Sequence, residues 1–218
     1  MAASLENPTA LNQISGAYLW TRKVVTWWSV TMHGDAETRI TVVDATSADL
    51  AELADVAART FPLACPPTVP AGDITAFIGA HLSRAHFAGY LADPARIVLV
   101  AKDRARITGY AVLVAGTDYD DTVRQAAAEG LVVSHPATEL SKLYVLADQH
   151  GSGTAPLLMD SARRRAAAAG SKCLWLGVNQ QNLRAQRFYL KQGFAVAGTR
   201  RFQLGAHFEH DYVMVLDL

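Results

Sequence analysis

The sequence predicts an α/β fold in which a central sheet is flanked by helices. Short apolar runs typical of strands, such as residues 96–102 and 107–115, alternate with stretches whose apolar residues recur at helical spacing. Short turn sequences that contain glycine, proline or aspartate separate the predicted strands from the predicted helices. At 218 residues, 50% of them hydrophobic, the chain suits one domain of ordinary size with a sizeable core.

Residues 1–36 differ from the remainder of the chain. They contain Trp20, Trp27 and Trp28 and show no sustained periodicity. We interpret them as an N-terminal extension and residues 37–218 as the folded domain. In that domain, residues 40–43 predict a strand, and Thr46 followed by Asp49 is typical of a helix N-terminus.

The predicted elements continue through the chain in a regular order. A helix runs from Leu50 to Phe61, a second helix covers 74–91, and the runs 96–102 and 107–115 predict an antiparallel hairpin. The connection 116–138 is long, polar and acidic, and such connections are often functional. The remaining predicted elements are a strand at 140–146, a helix at 152–169, a strand at 173–178, a helix from Asn182 to Gly193, and closing strands at 194–203 and 210–218.

Charge and apolar length restrict the partners of the chain. The 20 basic residues are balanced by 20 acidic ones, so no overall field attracts nucleic acid or an anionic membrane. No apolar run approaches the roughly 20 residues that span a bilayer. Two cysteines, Cys65 and Cys173, are too few for a disulfide framework, which favours a cytoplasmic location.

The stretch from Glu139 to Ala155 predicts a phosphate-binding turn. An apolar strand leads through a polar turn into Gly151-Ser152-Gly153 and then into a helix. The glycines allow the backbone to turn so that several N–H groups converge at the helix N-terminus, where the helix dipole favours anions. A pyrophosphate is the ligand that this arrangement predicts.

Two motifs together resemble the GNAT superfamily of N-acetyltransferases. The run His150-Gly151-Ser152-Gly153-Thr154-Ala155 is similar to its Gln/Arg-x-x-Gly-x-Gly/Ala acetyl-CoA loop, and the run from Asn182 to Phe194 is similar to its Asn-x-x-Ala-x-x-Phe-Tyr-x-x-x-Gly-Phe signature. Their order and spacing agree with the superfamily, whereas Gly-x-Gly alone is a weak signal. The resemblance covers residues 39–218. It implies an N-acetyltransferase domain with a mixed, mainly antiparallel central sheet flanked by helices.

The resemblance also implies acetyl-CoA as co-substrate and residues that bind it. Asn182 is expected to cap its helix and to hydrogen-bond the pantetheine arm. His150 replaces Gln or Arg, so its charge depends on pH. The full set of expected cofactor-binding residues is Leu143, Tyr144, Val145, His150, Gly151, Ser152, Gly153, Thr154, Ala155 and Asn182. No metal is expected, and we interpret His207-x-x-His210 as two ordinary surface histidines.

Two side chains are candidates for catalysis. The acceptor amine must be neutral to attack, and Glu139 is the candidate base, with a solvated strand-end carboxylate as the alternative. Tyr189 matches the family tyrosine that donates a proton to sulfur, with core packing as the alternative. The resemblance also implies a bulge near Val145 or Leu146, which would leave a backbone N–H free to stabilise charge on the carbonyl oxygen.

The sequence predicts only the chemical class of the acceptor. The runs 139–145, 202–205 and 211–214 resemble a bacterial subgroup that includes spermidine and polyamine N-acetyltransferases. This resemblance implies a small amine or polyamine, which the acids Asp118, Asp120, Asp121 and Glu139 could meet, with ordinary solvated loop acids as the alternative. Acetylation of a protein N-terminus or lysine, and a non-catalytic acyl-CoA-binding module, are the alternatives. A homodimer paired through sheet edges is compatible with the resemblance.

Overall fold

A computed structural model of the protein describes residues 40–116, 136–204 and 207–218. The helices are α1 (Leu50–Thr60), α2 (Ala71–His81), α3 (Arg84–Ala92), α4 (Thr154–Ala168) and α5 (Leu183–Lys191). The strands are β1 (Ile40–Asp44), β2 (Arg96–Asp103), β3 (Arg106–Ala115), β4 (Ala137–Val145), β5 (Cys173–Asn179), β6 (Ala195–Leu204) and β7 (His207–Asp217). The predicted extension at 1–36 and the acids Asp118, Asp120 and Asp121 lie outside the described residues.

The strands form a seven-stranded sheet in the order β1, β2, β3, β4, β5, β7, β6. Neighbouring strands pair antiparallel except β4 and β5, which pair in parallel. The predicted mixed, mainly antiparallel sheet is therefore confirmed. The chain order alone did not indicate that β7 lies between β5 and β6.

The sheet divides along the boundary between β4 and β5. These strands pair only from Ala137 with Cys173 to Glu139 with Trp175, although both continue further. Just beyond this point β4 contains a bulge, because Leu113 pairs with Leu140 and Val112 with Lys142, which leaves Ser141 as an extra residue. A bulge bends its strand and increases the local twist. The two strands thus separate beyond Glu139.

Helices cover both faces of the sheet. On one face, α4 packs Leu158 and Met159 into a core that also includes Tyr189 of α5. On the other face, α1 and α3 pack Leu53 and Phe87 against the sheet. No described helix has the length and hydropathy of a bilayer span.

The predicted single helix at 74–91 is wrong, because two helices occupy this stretch. The chain leaves the helical conformation at Leu82, whose side chain is fully buried, and Ser83 caps α3 by accepting a hydrogen bond from the His86 amide at 3.4 Å. Serine is a favoured N-cap residue. Apolar spacing continues across the break, so periodicity alone did not reveal it.

Candidate active site

A cavity of about 870 Å³ is lined by residues from both faces of the sheet and from the diverging ends of β4 and β5. Its volume lies within the range of about 300–1,000 Å³ that is usual for ligand sites. We call the part beside residues 149–156 and α5 the cofactor half. The part beside residues 60–66, α2, β6 and β7 is called the acceptor half.

The turn before α4 presents unpaired amides to the cofactor half. Gly151 and Gly153 adopt φ values of 87° and 90°, a left-handed conformation that favours glycine. Among the described residues, the amides of Gly151, Gly153 and Ala155 have no hydrogen-bond acceptor. Unpaired amides at the start of a 15-residue helix attract anions, and this arrangement fits the pyrophosphate of acetyl-CoA.

The two hydroxyl side chains of this turn stabilise the loop instead of lining the cavity. The Ser152 hydroxyl donates to the Gln149 carbonyl at 2.8 Å and lies 2.7 Å from the Thr154 hydroxyl. Thr154 is fully buried. Neither residue lines the cavity, whereas their glycine neighbours do.

His150 is held by two protein groups. Its Nε2 lies 3.1 Å from the Val145 carbonyl oxygen, and its Nδ1 lies 2.7 Å from a guanidinium nitrogen of Arg184. A neutral imidazole that donates from Nε2 and accepts at Nδ1 satisfies both contacts. Arg184, which was not among the predicted residues, therefore brings a permanent positive charge to the cofactor half.

Beyond Glu139 a gap opens between β4 and β5, and alternate main-chain groups of β4 face it. The Leu146 amide donates to the Thr108 carbonyl at 2.9 Å on the β3 side. Because main-chain groups alternate in direction along an antiparallel strand, those of Leu143 and Val145 face the gap. The expected bulge near Val145 or Leu146 is wrong: the bulge lies at Ser141, and the Leu146 amide is occupied.

Asn182 caps α5 as predicted. Its Oδ1 accepts a hydrogen bond from the Ala185 amide at 3.1 Å, which satisfies one of the unpaired donors of the first helical turn. Asn182 also lines the cavity. Its Nδ2 has no acceptor among the described residues and remains available to a ligand.

Tyr189 lines the cavity from α5 and packs against Phe188 and Phe194, with ring centroids 5.3 and 5.7 Å away. Only 8% of the residue is exposed. Burial raises the pKa of the Tyr189 phenol well above its usual value, so the hydroxyl keeps its proton at neutral pH. Both predicted roles, packing and proton donation, are compatible with this position.

Glu139 lies where β4 and β5 diverge, since it forms the last parallel pair with Trp175. It is partly exposed and lines the cavity. Burial lowers the pKa of the nearby Lys142 amine, and the Glu139 charge opposes that shift. Lys142 lies 5.3 Å from the centre of the Tyr90 ring.

An aromatic wall forms one side of the acceptor half. Phe61 stacks on Phe77 with ring centroids 4.5 Å apart and meets the Tyr144 ring edge to face at 6.3 Å. The Cys65 thiol lines the same side, and burial, together with the Glu209 charge, raises the pKa of this thiol to about 11. Burial raises the pKa of the Tyr144 phenol, and the charges of Tyr189, Cys65 and Asp211 add to the shift.

Charged side chains from β6 and β7 form the opposite side. Arg200 crosses the sheet over Gly177, where a β-carbon would collide with its guanidinium group. Its Nε donates to Asp211 Oδ2 at 3.4 Å, and its guanidinium lies 5.7 Å from the Trp175 ring centre. Burial raises the pKa of the Asp211 carboxyl, and Arg200 opposes the shift.

Sequence reasoning missed these acceptor-half residues. Gly177 and Arg200 lie 23 positions apart on strands whose adjacency was not predicted. A glycine inside an apolar strand is the one local signal, because it often marks close approach of another group. The part of the chain that the structure describes contains no cluster of three metal-ligating side chains, and the His207 side chain lies outside that part.

The amide-rich turn, the gap between β4 and β5, and the cavity that joins them define a transferase that binds an acyl-CoA. The chain matches the acetyltransferase (GNAT) family over residues 59–194. It belongs to this family and is an acetyl-CoA-dependent N-acetyltransferase.

Relatives support this assignment along most of the chain. An uncharacterized N-acetyltransferase of Mycobacterium tuberculosis is 52% identical over 170 residues, which cover 78% of this chain and 98% of that protein. The PaiA N-acetyltransferase of Thermoplasma acidophilum, solved with coenzyme A, shares the fold with a TM-score of 0.64 at 18% identity, over 83% of this chain and 99% of that one. YncA of Salmonella typhimurium, solved with acetyl-CoA, gives a TM-score of 0.53 at 20% identity, over 83% and 94% of the two chains.

Proposed function

We propose that the protein acetylates a primary amine of a small molecule or polyamine, with Glu139 as base and Tyr189 as acid. The observation that carries this proposal is the cavity, which joins the unpaired amides before α4 to a carboxylate and a buried phenol. Groups that accept and donate protons thus line the same space as the anion site. This is the arrangement that direct acetyl transfer requires.

The cofactor half holds acetyl-CoA through main-chain groups. The amides of Gly151, Gly153 and Ala155 bind the pyrophosphate, and Arg184, fixed against His150, adds a permanent charge. The gap-facing main-chain groups of Leu143 pair with the pantetheine arm as an added strand would, while the Val145 carbonyl contacts His150. Asn182 Nδ2 donates to the same arm, while Tyr144, Ser152 and Thr154 shape the strand and the turn.

Acetyl-CoA supplies an acetyl group as a thioester whose sulfur leaves as a thiolate. The Glu139 carboxylate accepts the proton that the acceptor ammonium must lose before its nitrogen can attack. Tyr189 Oη, which its raised pKa keeps protonated, donates a proton to the sulfur as the carbon–sulfur bond breaks. The nitrogen, now bonded to the acetyl carbon, returns its second proton to the Tyr189 phenolate as the amide forms. The Val145 amide, which faces the gap, stabilises negative charge on the carbonyl oxygen.

Release of free thiol from acetyl-CoA tests the activity. The panel of acceptors contains spermidine, spermine, simple alkylamines, and peptides with a free N-terminus or a lysine. Turnover with the amines and none with the peptides supports the proposal. Turnover confined to the peptides assigns the enzyme to protein acetylation and overturns the acceptor class proposed here.

The pH dependence of kcat/KM tests Glu139. Glu139→Gln removes the carboxylate with little change in volume, so the acidic limb of the wild-type profile is expected to disappear and kcat to fall about 100-fold. Ser141→Ala, at the neighbouring bulge, is the control and is expected to keep the wild-type profile. An unchanged profile in Glu139→Gln removes this residue as the base.

A further inference from the structure

A buried carboxylate with an unused oxygen faces the acceptor half of the cavity. Asp211 is only 6% exposed, yet it lines the cavity. Its Oδ2 accepts one hydrogen bond, from Arg200 Nε at 3.4 Å. Among the described residues, no donor contacts Oδ1. Oδ1 is not among the fully buried side-chain atoms that lack a partner, so it is accessible from the cavity and can accept a hydrogen bond from a ligand.

The charges around Asp211 favour a cation as that ligand. Glu209 lies two residues earlier on β7, on the same face of the strand, and its one described partner is the neutral Asn179 amide at 3.0 Å. With both carboxylates ionised, Arg200, Asp211 and Glu209 together carry one net negative charge. The other Lys and Arg residues that line the cavity have different neighbours or lie elsewhere. Lys142 lies beside Glu139, Arg201 lies over the Phe208 ring at 4.1 Å, and Arg184 and Lys191 belong to α5 in the cofactor half.

We propose that Asp211 and Glu209 bind a second ammonium group of the acceptor, so that the preferred substrate is a diamine or longer polyamine. This inference rests on the proposed amine acetylation. The group bound here is not the nitrogen that reacts, because two carboxylates stabilise the protonated form and only a neutral amine can attack. The reacting nitrogen is placed by Glu139, at the divergence of β4 and β5.

The distances along the sheet suit such a substrate. β7 is the neighbour of β5 on the side away from the gap, and adjacent strands lie about 4.8 Å apart. A short carbon chain therefore extends from the gap to the two carboxylates. The stacked rings of Phe61 and Phe77 line the cavity and contact the carbon chain of the substrate.

Three four-carbon amines test the subsite. Putrescine, butylamine and γ-aminobutyrate present the same reacting amine, and their far ends carry an ammonium, a methyl and a carboxylate group. We expect kcat/KM of wild-type protein to be about tenfold higher for putrescine than for butylamine, and lowest for γ-aminobutyrate. Equal kcat/KM values for putrescine and butylamine overturn the proposal. A preference for γ-aminobutyrate also overturns it, because it would indicate that Arg200 binds a carboxylate of the acceptor.

Two isosteric variants identify the carboxylates. Glu209→Gln and Asp211→Asn are each expected to lower the ratio of kcat/KM for putrescine to kcat/KM for butylamine to about one. The ratio of the two substrates is measured within one preparation, so partial unfolding of a variant does not affect it. Asp55→Asn removes an exposed carboxylate of α1 and is expected to keep the wild-type ratio. A wild-type ratio in both cavity variants overturns the proposal.

Binding separates this inference from the catalytic proposal. If none of the three amines releases thiol, the proposed acceptor class fails, but calorimetry of putrescine with CoA-saturated protein still reports on the subsite. Weaker binding of putrescine to Glu209→Gln than to wild type supports the subsite. Equal affinity of the two proteins overturns it.

Discussion

The two halves of the cavity are built in different ways. The cofactor half lies beside two short stretches, residues 149–156 and α5, and the first stretch presents unpaired main-chain amides. The acceptor half is assembled from residues 60–66, α2, β6 and β7, and residues with large or charged side chains line it. Arg200 and Asp211, for example, meet only because β6 and β7 pair.

This difference agrees with the chemistry of the two substrates. A pyrophosphate is the same in every reaction of the family, and amides at a helix N-terminus bind it without a particular side chain. An acceptor amine is distinguished by its charge and shape, which only side chains can match. Substitutions in the cofactor half should therefore change the affinity for acetyl-CoA, and those in the acceptor half should change the choice of amine.

The largest effect is expected at Tyr189, where the two halves meet. Tyr189→Phe removes the hydroxyl that we propose as the proton donor and keeps the ring, so kcat should fall at least about 100-fold while the Kd of acetyl-CoA is unchanged. Steady-state kinetics and calorimetry measure the two quantities. Tyr212→Phe, a partly buried tyrosine of β7 that does not line the cavity, is the control. Unchanged turnover in Tyr189→Phe excludes proton donation by this residue.

Alkylation of Cys65 probes the acceptor half alone. Its pKa is raised from 9.0 to about 11, so at pH 8 the thiolate fraction is about 100-fold below that of an ordinary thiol. The reaction with iodoacetamide, followed by mass spectrometry, should accelerate about tenfold per pH unit up to pH 10.

Alkylated Cys65 should block amine turnover without weakening acetyl-CoA binding, because the thiol lines the acceptor half and not the cofactor half. Because the pKa of the Cys65 thiol is higher in the folded than in the unfolded protein, folding favours the protonated thiol. This contribution to the free energy of unfolding is present at neutral pH and is lost as pH rises from 9.0 through about 11. Reaction at pH 8 as fast as that of free cysteine would contradict the burial of this thiol.

A smaller effect is expected for Gly153→Ala in the cofactor half. Its φ of 90° is unfavourable for alanine by about 1 kcal/mol, and relaxation of the turn should redirect the amides and weaken acetyl-CoA binding about tenfold. Gly170→Ala is a matched control, because Gly170 has a φ of 85°, free space for a β-carbon and no place in the cavity. Thermal unfolding should shift similarly in both variants, and calorimetry should report weaker binding only in Gly153→Ala. Equal affinities would show that the turn does not bind the cofactor.

The smallest effect is expected for Asn182→Ala. Loss of the cap should lower the free energy of unfolding by about 1 kcal/mol, and loss of Nδ2 should weaken acetyl-CoA binding a few-fold. Ser83→Ala removes the cap of α3, outside the cavity, and should affect stability alone. Chemical denaturation and calorimetry measure the two effects. An Asn182→Ala protein with full affinity would limit Asn182 to capping.

Local sequence determined most of the secondary structure and the cofactor half. Gly151 and Gly153 require left-handed backbone, and Asn182 caps the helix that follows it, so these features depend on a few adjacent residues. The same sequence reasoning erred at Leu82, where apolar spacing continues through a break between helices, and the family resemblance implied the wrong position for the bulge in β4. A bulge depends on pairing with a partner strand, which local pattern does not specify.

The acceptor half was decided by tertiary structure alone. The placement of β7 between β5 and β6 brings Asp211 beside Arg200, and Gly177 leaves room for the guanidinium to cross the sheet. These contacts join residues far apart in the chain, and their burial sets the charges and pKa values of the site. A sequence motif reflects how neighbouring residues set the backbone conformation, whereas only the folded sheet brings together the side chains that we propose select the amine.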